Sequence, residues 1–259
     1  MSATELYGSG EYLRRNPDWH ESDAKWKARQ VLTMLSRHGL VPRSVCDIGC
    51  GTGGVLAALA EALPPRTELV GFEISADALR HVSAERRRRV NFVQTTPAER
   101  DVPFDVALCL DVFEHVPDYL GFLRGLRGVA KQTIFHIPLD ISVASLMRAG
   151  RLSEVRRQVG HLHMFTKEVA LATLETAGFD VVDWSFTNPS RESRPTHILG
   201  HIGKRARRVA FHLSPDLGAR ALGGFPILVL AKPTAEPRSL PAGYSRTYDL
   251  QQAGARRRS

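Results

Sequence analysis

From Ser44 to Leu63 the chain reads SVCDIGCGTGGVLAALAEAL, with four glycines set between a short apolar run and a stretch of alanine and leucine. Few folds accommodate such a stretch. Val45 and Ile48 favour a strand, and the alanines and leucines after Gly54 favour a helix that Pro64 and Pro65 end. Glycine lets the backbone turn sharply and lets another group approach where a Cβ would stand. The helix that follows presents N–H groups with no partner of their own in its first turn. A strand, a glycine loop and a helix in this order form the opening of a parallel α/β unit.

The rest of the chain continues the alternation. Strands are expected within 68–75, 90–96, 104–112, 132–139, 179–187 and 225–233, and helices within 22–39, 53–63, 76–89, 119–130 and 166–178. The run FDVALCLDV is almost wholly apolar, as a strand covered on both faces would be. The expected fold is α/β, a doubly wound, mostly parallel sheet with helices on both faces. Residues 1–40 read as an N-terminal helical lid or cap, 41–232 as the main domain with an insertion at 188–224, and 233–259 as a disordered tail. The insertion carries a helical stretch, HILGHIGKRARRVAFHL, whose Lys204–Arg208 portion reads as a solvated face. Tyr12 and Trp19 are lid candidates within 7–26, whereas Trp26 lies at core spacing.

Composition removes several classes of function. With 259 residues and 43% hydrophobic content the chain can bury a full core. No window offers the roughly 18 unbroken apolar residues that a membrane span needs, and the N-terminus shows no secretory signal. Three cysteines in apolar runs do not make a disulfide framework, so a reduced, cytoplasmic setting is expected. The formal charge of +8 includes the runs ERRRR at 85–89 and ARRRS at the C-terminus. Neither is interleaved with aromatics, so both read as solvated and no nucleic-acid partner is expected.

The loop's ligand follows from charge. Gly49, Gly51 and Gly54 satisfy G-x-G-x-x-G, a dinucleotide spacing. Asp47, just before them, would repel a pyrophosphate and attract an ammonium group. Glu73 ends the second strand, where an acidic residue reaches a ribose diol. A ligand with a cationic amino acid portion and a nucleoside portion therefore fits better than a dinucleotide.

On these residues the chain resembles the class I S-adenosylmethionine-dependent methyltransferases. VCDIGCGTG resembles their first motif, GFEIS the second, FDVALCLDVFEHVPD the fourth-strand motif, and GHLHMFTKEVALATLETAGF the segment leading into the sixth strand. The resemblance implies a Rossmann-like seven-stranded sheet whose last strand is antiparallel. It implies S-adenosyl-L-methionine as cofactor, contacted by Asp47, Gly49, Cys50, Gly51, Gly53, Glu73, Ile74, Leu110 and Asp111. Thr96 stands where the family commonly has an acidic residue at the adenine.

The implied reaction is methyl transfer, most simply to an oxygen of a small molecule such as a secondary metabolite, a sugar or a quinone-like acceptor. A hydroxyl nucleophile must lose its proton, to a general base or with the help of a metal. His115 is the first candidate base, followed by His163 and His136. DVFEHV is also similar to the acidic-x-x-Glu-His pattern of metal-dependent O-methyltransferases. That resemblance would place Mg²⁺ on Asp111, Glu114, His115 and one of His161 or His163, with His163 the first choice. A metal-free site is preferred, because hard cations favour oxygen ligands and this set brings two imidazoles. The alternatives are a metal-dependent RNA 2′-O-methyltransferase and a nucleotide binder without methyltransferase activity. The acceptor's identity and the oligomeric state do not follow from the sequence.

Overall fold

A computed structural model describes residues 21–97, 102–188, 209–211 and 213–234. The strands are β1 (Ser44–Ile48), β2 (Glu68–Phe72), β3 (Asn91–Val93), β4 (Phe104–Leu110), β5 (Ala130–Ile137), β6 (Phe179–Phe186) and β7 (Ile227–Pro233). They form one sheet in the order β3-β2-β1-β4-β5-β7-β6. β1 pairs in parallel with β2 and β4, and β7 runs antiparallel to both β5 and β6. The antiparallel last strand expected from the resemblance is therefore present. Strand order reverses between β1 and β4, which opens a crevice beyond their carboxyl ends.

Alternation along the strands builds two cores. Val45, Val106 and Leu108 face one way and pack with Val31 and Met34 of α1 (Glu21–Arg37) and with Leu56 and Leu59 of α2 (Gly54–Ala62). Cys46, Ile48, Ala107 and Cys109 face the other way, against Phe113, Leu123 and Phe135. Each fully buried Leu or Phe contributes on the order of 1.5–3 kcal/mol by leaving water, and from Val106 to Leu110 both faces of β4 are apolar and buried. Among the described residues no helix is long and apolar enough to cross a membrane.

Three local features differ from the sequence expectation. The helix expected over 76–89 is two short ones, α3 (Ala76–Arg80) and α4 (Ala84–Arg89), because the Ser83 hydroxyl accepts from the Arg86 N–H and starts a new helix. The arginine run of α4 is not a plain solvated face. Arg86 donates to the Thr52 carbonyl at 3.0 Å and Arg89 to the Thr67 carbonyl at 2.9 Å, tying α4 to the glycine loop and to the entry of β2. The expected helix over 119–130 is shorter, α5 (Tyr119–Gly125), and a 3₁₀ turn at Leu126–Gly128 follows it.

Three helices went unforeseen, α6 (Val143–Met147), α7 (Arg151–Val159) and α9 (Pro215–Leu222), whereas α8 (Lys167–Thr176) is the one expected within 166–178. α7 buries no residue, and its three apolar side chains, Leu152, Val155 and Val159, do keep helical spacing among six polar or charged ones. Residues 189–208 of the insertion expected at 188–224, residues 235–259 of the tail expected at 233–259, and the lid candidates Tyr12 and Trp19 lie outside the described residues. Trp26 packs in α1 at 6% exposure, its ring edge-on to His136 at 5.7 Å.

Candidate active site

The crevice is a cavity of about 500 Å³, within the usual range for a small-molecule site. Its walls come from α1, the loops after β1, β2, β4 and β5, and α7. The β1 loop is shaped by glycines in two places. Gly49 has φ 71° and donates to the Phe72 carbonyl at 2.8 Å; a Cβ there would press on Val112 Cγ2 at 2.9 Å. Gly53, at φ 80°, precedes α2, and a Cβ on it would enter the Phe92 ring.

Gly53→Ala should therefore destabilise the protein by about 2 kcal/mol, the sum of a left-handed backbone and a clash, lowering Tm by about 4–8 °C. Gly53→Ala with Phe92→Leu should recover part of that loss in a melting experiment. A full recovery would show that the backbone conformation costs nothing.

Glu73 ends the β2 strand region at 6% exposure and draws the loop to itself. Its carboxylate accepts from the Gly51 N–H at 2.9 Å and the Ser75 N–H at 2.8 Å. Asp47 is 3% exposed and opens into the cavity with no hydrogen-bonding partner among the described residues. Burial pushes its carboxyl up to about 7; the Lys27 ammonium opposes the rise and the Glu73 charge adds to it.

Asp111 lies just past the tip of β4 at φ 57°, a left-handed conformation that Asp tolerates better than most residues. One carboxylate oxygen meets Lys27 Nζ at 2.7 Å and the other His136 Nδ1 at 2.6 Å. Burial would raise this carboxyl, but the charges of His136 and Lys27 outweigh it and hold it well below the usual carboxylate range. His136 Nε2 meets Thr187 Oγ1 at 2.9 Å, so both ring nitrogens are committed.

His161 also faces the cavity, its Nδ1 2.7 Å from Asp140 Oδ2. A carboxylate only accepts, so Nδ1 carries a proton, and in the neutral ring the lone pair is on Nε2. The His115 ring stands edge-on to His161 at 5.0 Å, and its Nδ1 donates to the Gly160 carbonyl at 3.1 Å. Glu114 is fully buried, and neither of its carboxyl oxygens has a hydrogen-bond partner among the described residues. Burial, then the nearby Asp111 charge, push this carboxyl well above its ordinary range.

Of the residues expected at the cofactor, Asp47, Gly49, Cys50, Gly51, Glu73, Ile74, Leu110 and Asp111 line this one cavity; Gly53 and Thr96 are outside its lining. Thr96 is exposed on the loop after β3. Of the candidate bases, His115 and His136 line the cavity. His163 does not; its Nε2 donates to the Val116 carbonyl at 3.0 Å and its ring lies on Tyr119 at 4.2 Å. Of the residues named for a metal, Glu114 and His115 converge with His161, their ligand atoms within 4.8 Å of one another. Asp111 and His163 stand apart from that group. Lys27, Asp140 and Arg151 also line the cavity and carry no sequence signal that marks them.

The family described as "Methyltransferase domain" matches residues 19–183. A trans-aconitate 2-methyltransferase from Afipia carboxidovorans is 30% identical over 149 residues, 54% of this chain and 57% of that protein, so the chain spans little more than half of that relative's length. A ubiquinone biosynthesis O-methyltransferase from Methylococcus capsulatus is 25% identical over 238 residues, 80% of this chain and 89% of that one. The crystal structure of magnesium protoporphyrin IX methyltransferase from Synechocystis PCC 6803 superposes with a TM-score of 0.52 at 16% identity, covering 80% and 81% of the two chains. With the family matched over well beyond half its length, and with the reversed strand order opening on Asp47 and Glu73, this chain belongs to the class I S-adenosylmethionine-dependent methyltransferases.

Proposed function

We propose that this protein transfers a methyl group from S-adenosyl-L-methionine to an oxygen of a small hydroxylated acceptor, in a reducing, cytoplasmic setting that suits its three buried free cysteines. The observation that carries this reading is the His161–Asp140 pair, open to the same cavity as Asp47 and Glu73. When bound, the cofactor supplies an electrophilic methyl group on sulfur. Asp47 suits its ammonium group, since a buried carboxyl without a partner gains most from a cation. Glu73 keeps lone pairs beyond its two amide bonds for a diol, and Ile74, 45% exposed at the cavity edge, offers an apolar surface to a flat base. His161 Nε2 takes the acceptor proton, and Asp140 holds the ring in the tautomer that can do so. The apolar faces of Val155 and Val159 on α7 complete the acceptor side. Relatives named for trans-aconitate and for ubiquinone biosynthesis favour a small acceptor over a nucleic acid.

A second reading rests on Glu114, whose buried, unpartnered oxygens favour an added cation. Glu114, His115 and His161 would hold it, and the ion would lower the pKa of an acceptor hydroxyl. One carboxylate with two imidazoles suits a transition ion better than Mg²⁺.

The test is S-adenosylhomocysteine release from a panel of phenols, hydroxy acids, sugars, amines and a short RNA, each with and without EDTA. Turnover on hydroxylated small molecules that EDTA leaves unchanged is expected. Turnover confined to amines or RNA overturns the proposal, and turnover abolished by EDTA selects the metal reading.

A further inference from the structure

Lys27 reaches the cavity from α1 between two buried anchors, Trp26 and Ala28, and its side chain is only 14% exposed. The Asp111 carboxylate beside it gives its ammonium an ion-pair partner within the cavity wall. One contact, at 2.7 Å, goes to Asp111. Among the described residues no second acceptor meets Nζ, although an ammonium has three donors. A largely buried cation with spare N–H groups on a cavity wall is a group prepared for an anionic oxygen. Arg151, at the cavity rim, already pairs with Glu154 at 3.0 Å.

This position matters because Asp111 opens the D-x-x-E-H segment. In the pattern of metal-dependent O-methyltransferases that this segment resembles, the first acidic residue faces a divalent ion. Here that carboxylate has both oxygens engaged, by Lys27 and by His136, and the residue turns at φ 57° to meet them. The donor set therefore does not fit a metal at Asp111.

We propose that Lys27 is the resident cation of this site: its ammonium occupies the place at Asp111 that a divalent ion would otherwise take, and gives its remaining N–H groups to an anionic oxygen of a bound ligand. That oxygen is either the cofactor's carboxylate or an acceptor oxygen losing its proton. The second source rests on the O-methyl transfer reading; the displacement of a metal does not. Lys27 acts on Asp111 and His136 as a positioning residue and on the ligand by direct contact.

Mn²⁺ binding followed by electron paramagnetic resonance on the 259-residue chain tests the displacement without any acceptor. Lys27→Met should bind Mn²⁺ at least tenfold more tightly than wild type, and Lys27→Met with Asp111→Asn should lose that gain. Asp111→Asn alone, which also serves if Lys27→Met does not fold, should leave wild-type Mn²⁺ affinity unchanged. No gain in Lys27→Met, or weaker Mn²⁺ binding in Asp111→Asn, overturns the proposal.

Calorimetry with S-adenosylhomocysteine and with 5′-methylthioadenosine, which lacks the amino acid end, separates the two oxygens. Loss of more than tenfold for the first alone in Lys27→Met assigns the cofactor carboxylate. Unchanged affinity for both, with turnover lost, assigns the acceptor; unchanged affinity with unchanged turnover overturns ligand contact. Wild-type protein that binds neither nucleoside defeats the methyltransferase reading and leaves the Mn²⁺ result standing.

Discussion

Asp47→Asn should bind S-adenosylhomocysteine about a hundredfold more weakly than wild type and yet, without ligand, melt at a higher temperature at pH 8. The two effects have one cause. In the empty protein the Asp47 carboxyl is buried, has no hydrogen-bond partner among the described residues, and is pushed up to about 7, so holding it ionised costs folding free energy. Asparagine removes that cost. The ligand's ammonium reverses the balance, since a buried charge-assisted hydrogen bond contributes about 2–5 kcal/mol and asparagine offers only a neutral carbonyl. A purely structural Asp47 would move stability and affinity in the same direction.

The pH dependence follows in sign. The native carboxyl binds its proton more tightly than the unfolded one, whose value is 3.8. The stabilisation this gives is complete below about pH 4 and is lost as pH rises through about 7. Wild-type protein without ligand should therefore lose up to roughly 4 kcal/mol more stability between pH 4 and pH 8 than Asp47→Asn does; the two should melt alike near pH 4. Affinity runs the opposite way. In wild type it should fall as pH drops below 7, approaching about tenfold per unit, because the proton competes with the ammonium, and in Asp47→Asn it should not change. A wild-type affinity that is flat from pH 5 to 8 would remove Asp47 from cofactor recognition.

The parts of the molecule legible in the sequence are those governed by local pattern. Strand β4 announces itself because, Asp105 at its entry apart, its residues are apolar and buried on both faces. The glycine loop is legible because positive φ at Gly49 and Gly53 requires that residue type. Asp47 and Glu73 follow from their places at the tips of neighbouring parallel strands, paired residue for residue through Asp47↔Gly71 and Ile48↔Phe72.

What was not legible depends on distance in the chain. Lys27 meets Asp111 across 84 positions, since α1 lies over the crevice, and nothing in KWKARQ separates it from the exposed Lys25. Asp140 and His161 meet because the loop after β5 and the loop after α7 close on one another, and no periodicity encodes that meeting. His161 and His163 sit two residues apart in GHLHMF, yet one faces the cavity and the other the carbonyls of Val116 and Pro117. Both Leu162 and His163 give their N–H groups to the Glu114 carbonyl, so this backbone clamp sets the direction of each ring. Arg86 and Arg89 looked like solvated charge because their carbonyl partners lie 34 and 22 residues away.

On the O-methyl transfer reading proposed above, His161 is the base whose replacement has the larger expected effect. His161→Gln keeps a side chain of similar length that can still bond Asp140 but cannot take up a proton. Turnover on the acceptor found by the panel should drop by about 10²–10⁴, with S-adenosylhomocysteine affinity within about threefold of wild type. Asp140→Asn should lose activity in the same direction and by less, because the ring remains and only its tautomer is released. His136→Gln is a useful contrast, since both nitrogens of His136 are engaged and neither can receive the acceptor's proton. His115→Gln tests the neighbouring ring, whose Nε2 lies 4.0 Å from the buried Glu114 carboxyl. If the base is His161, activity in His161→Gln should climb with pH without reaching a plateau, because solvent hydroxide then takes the proton. A His115 variant that shows that profile while His161→Gln turns over normally would move the chemistry to the other ring and leave Asp140 a structural partner only.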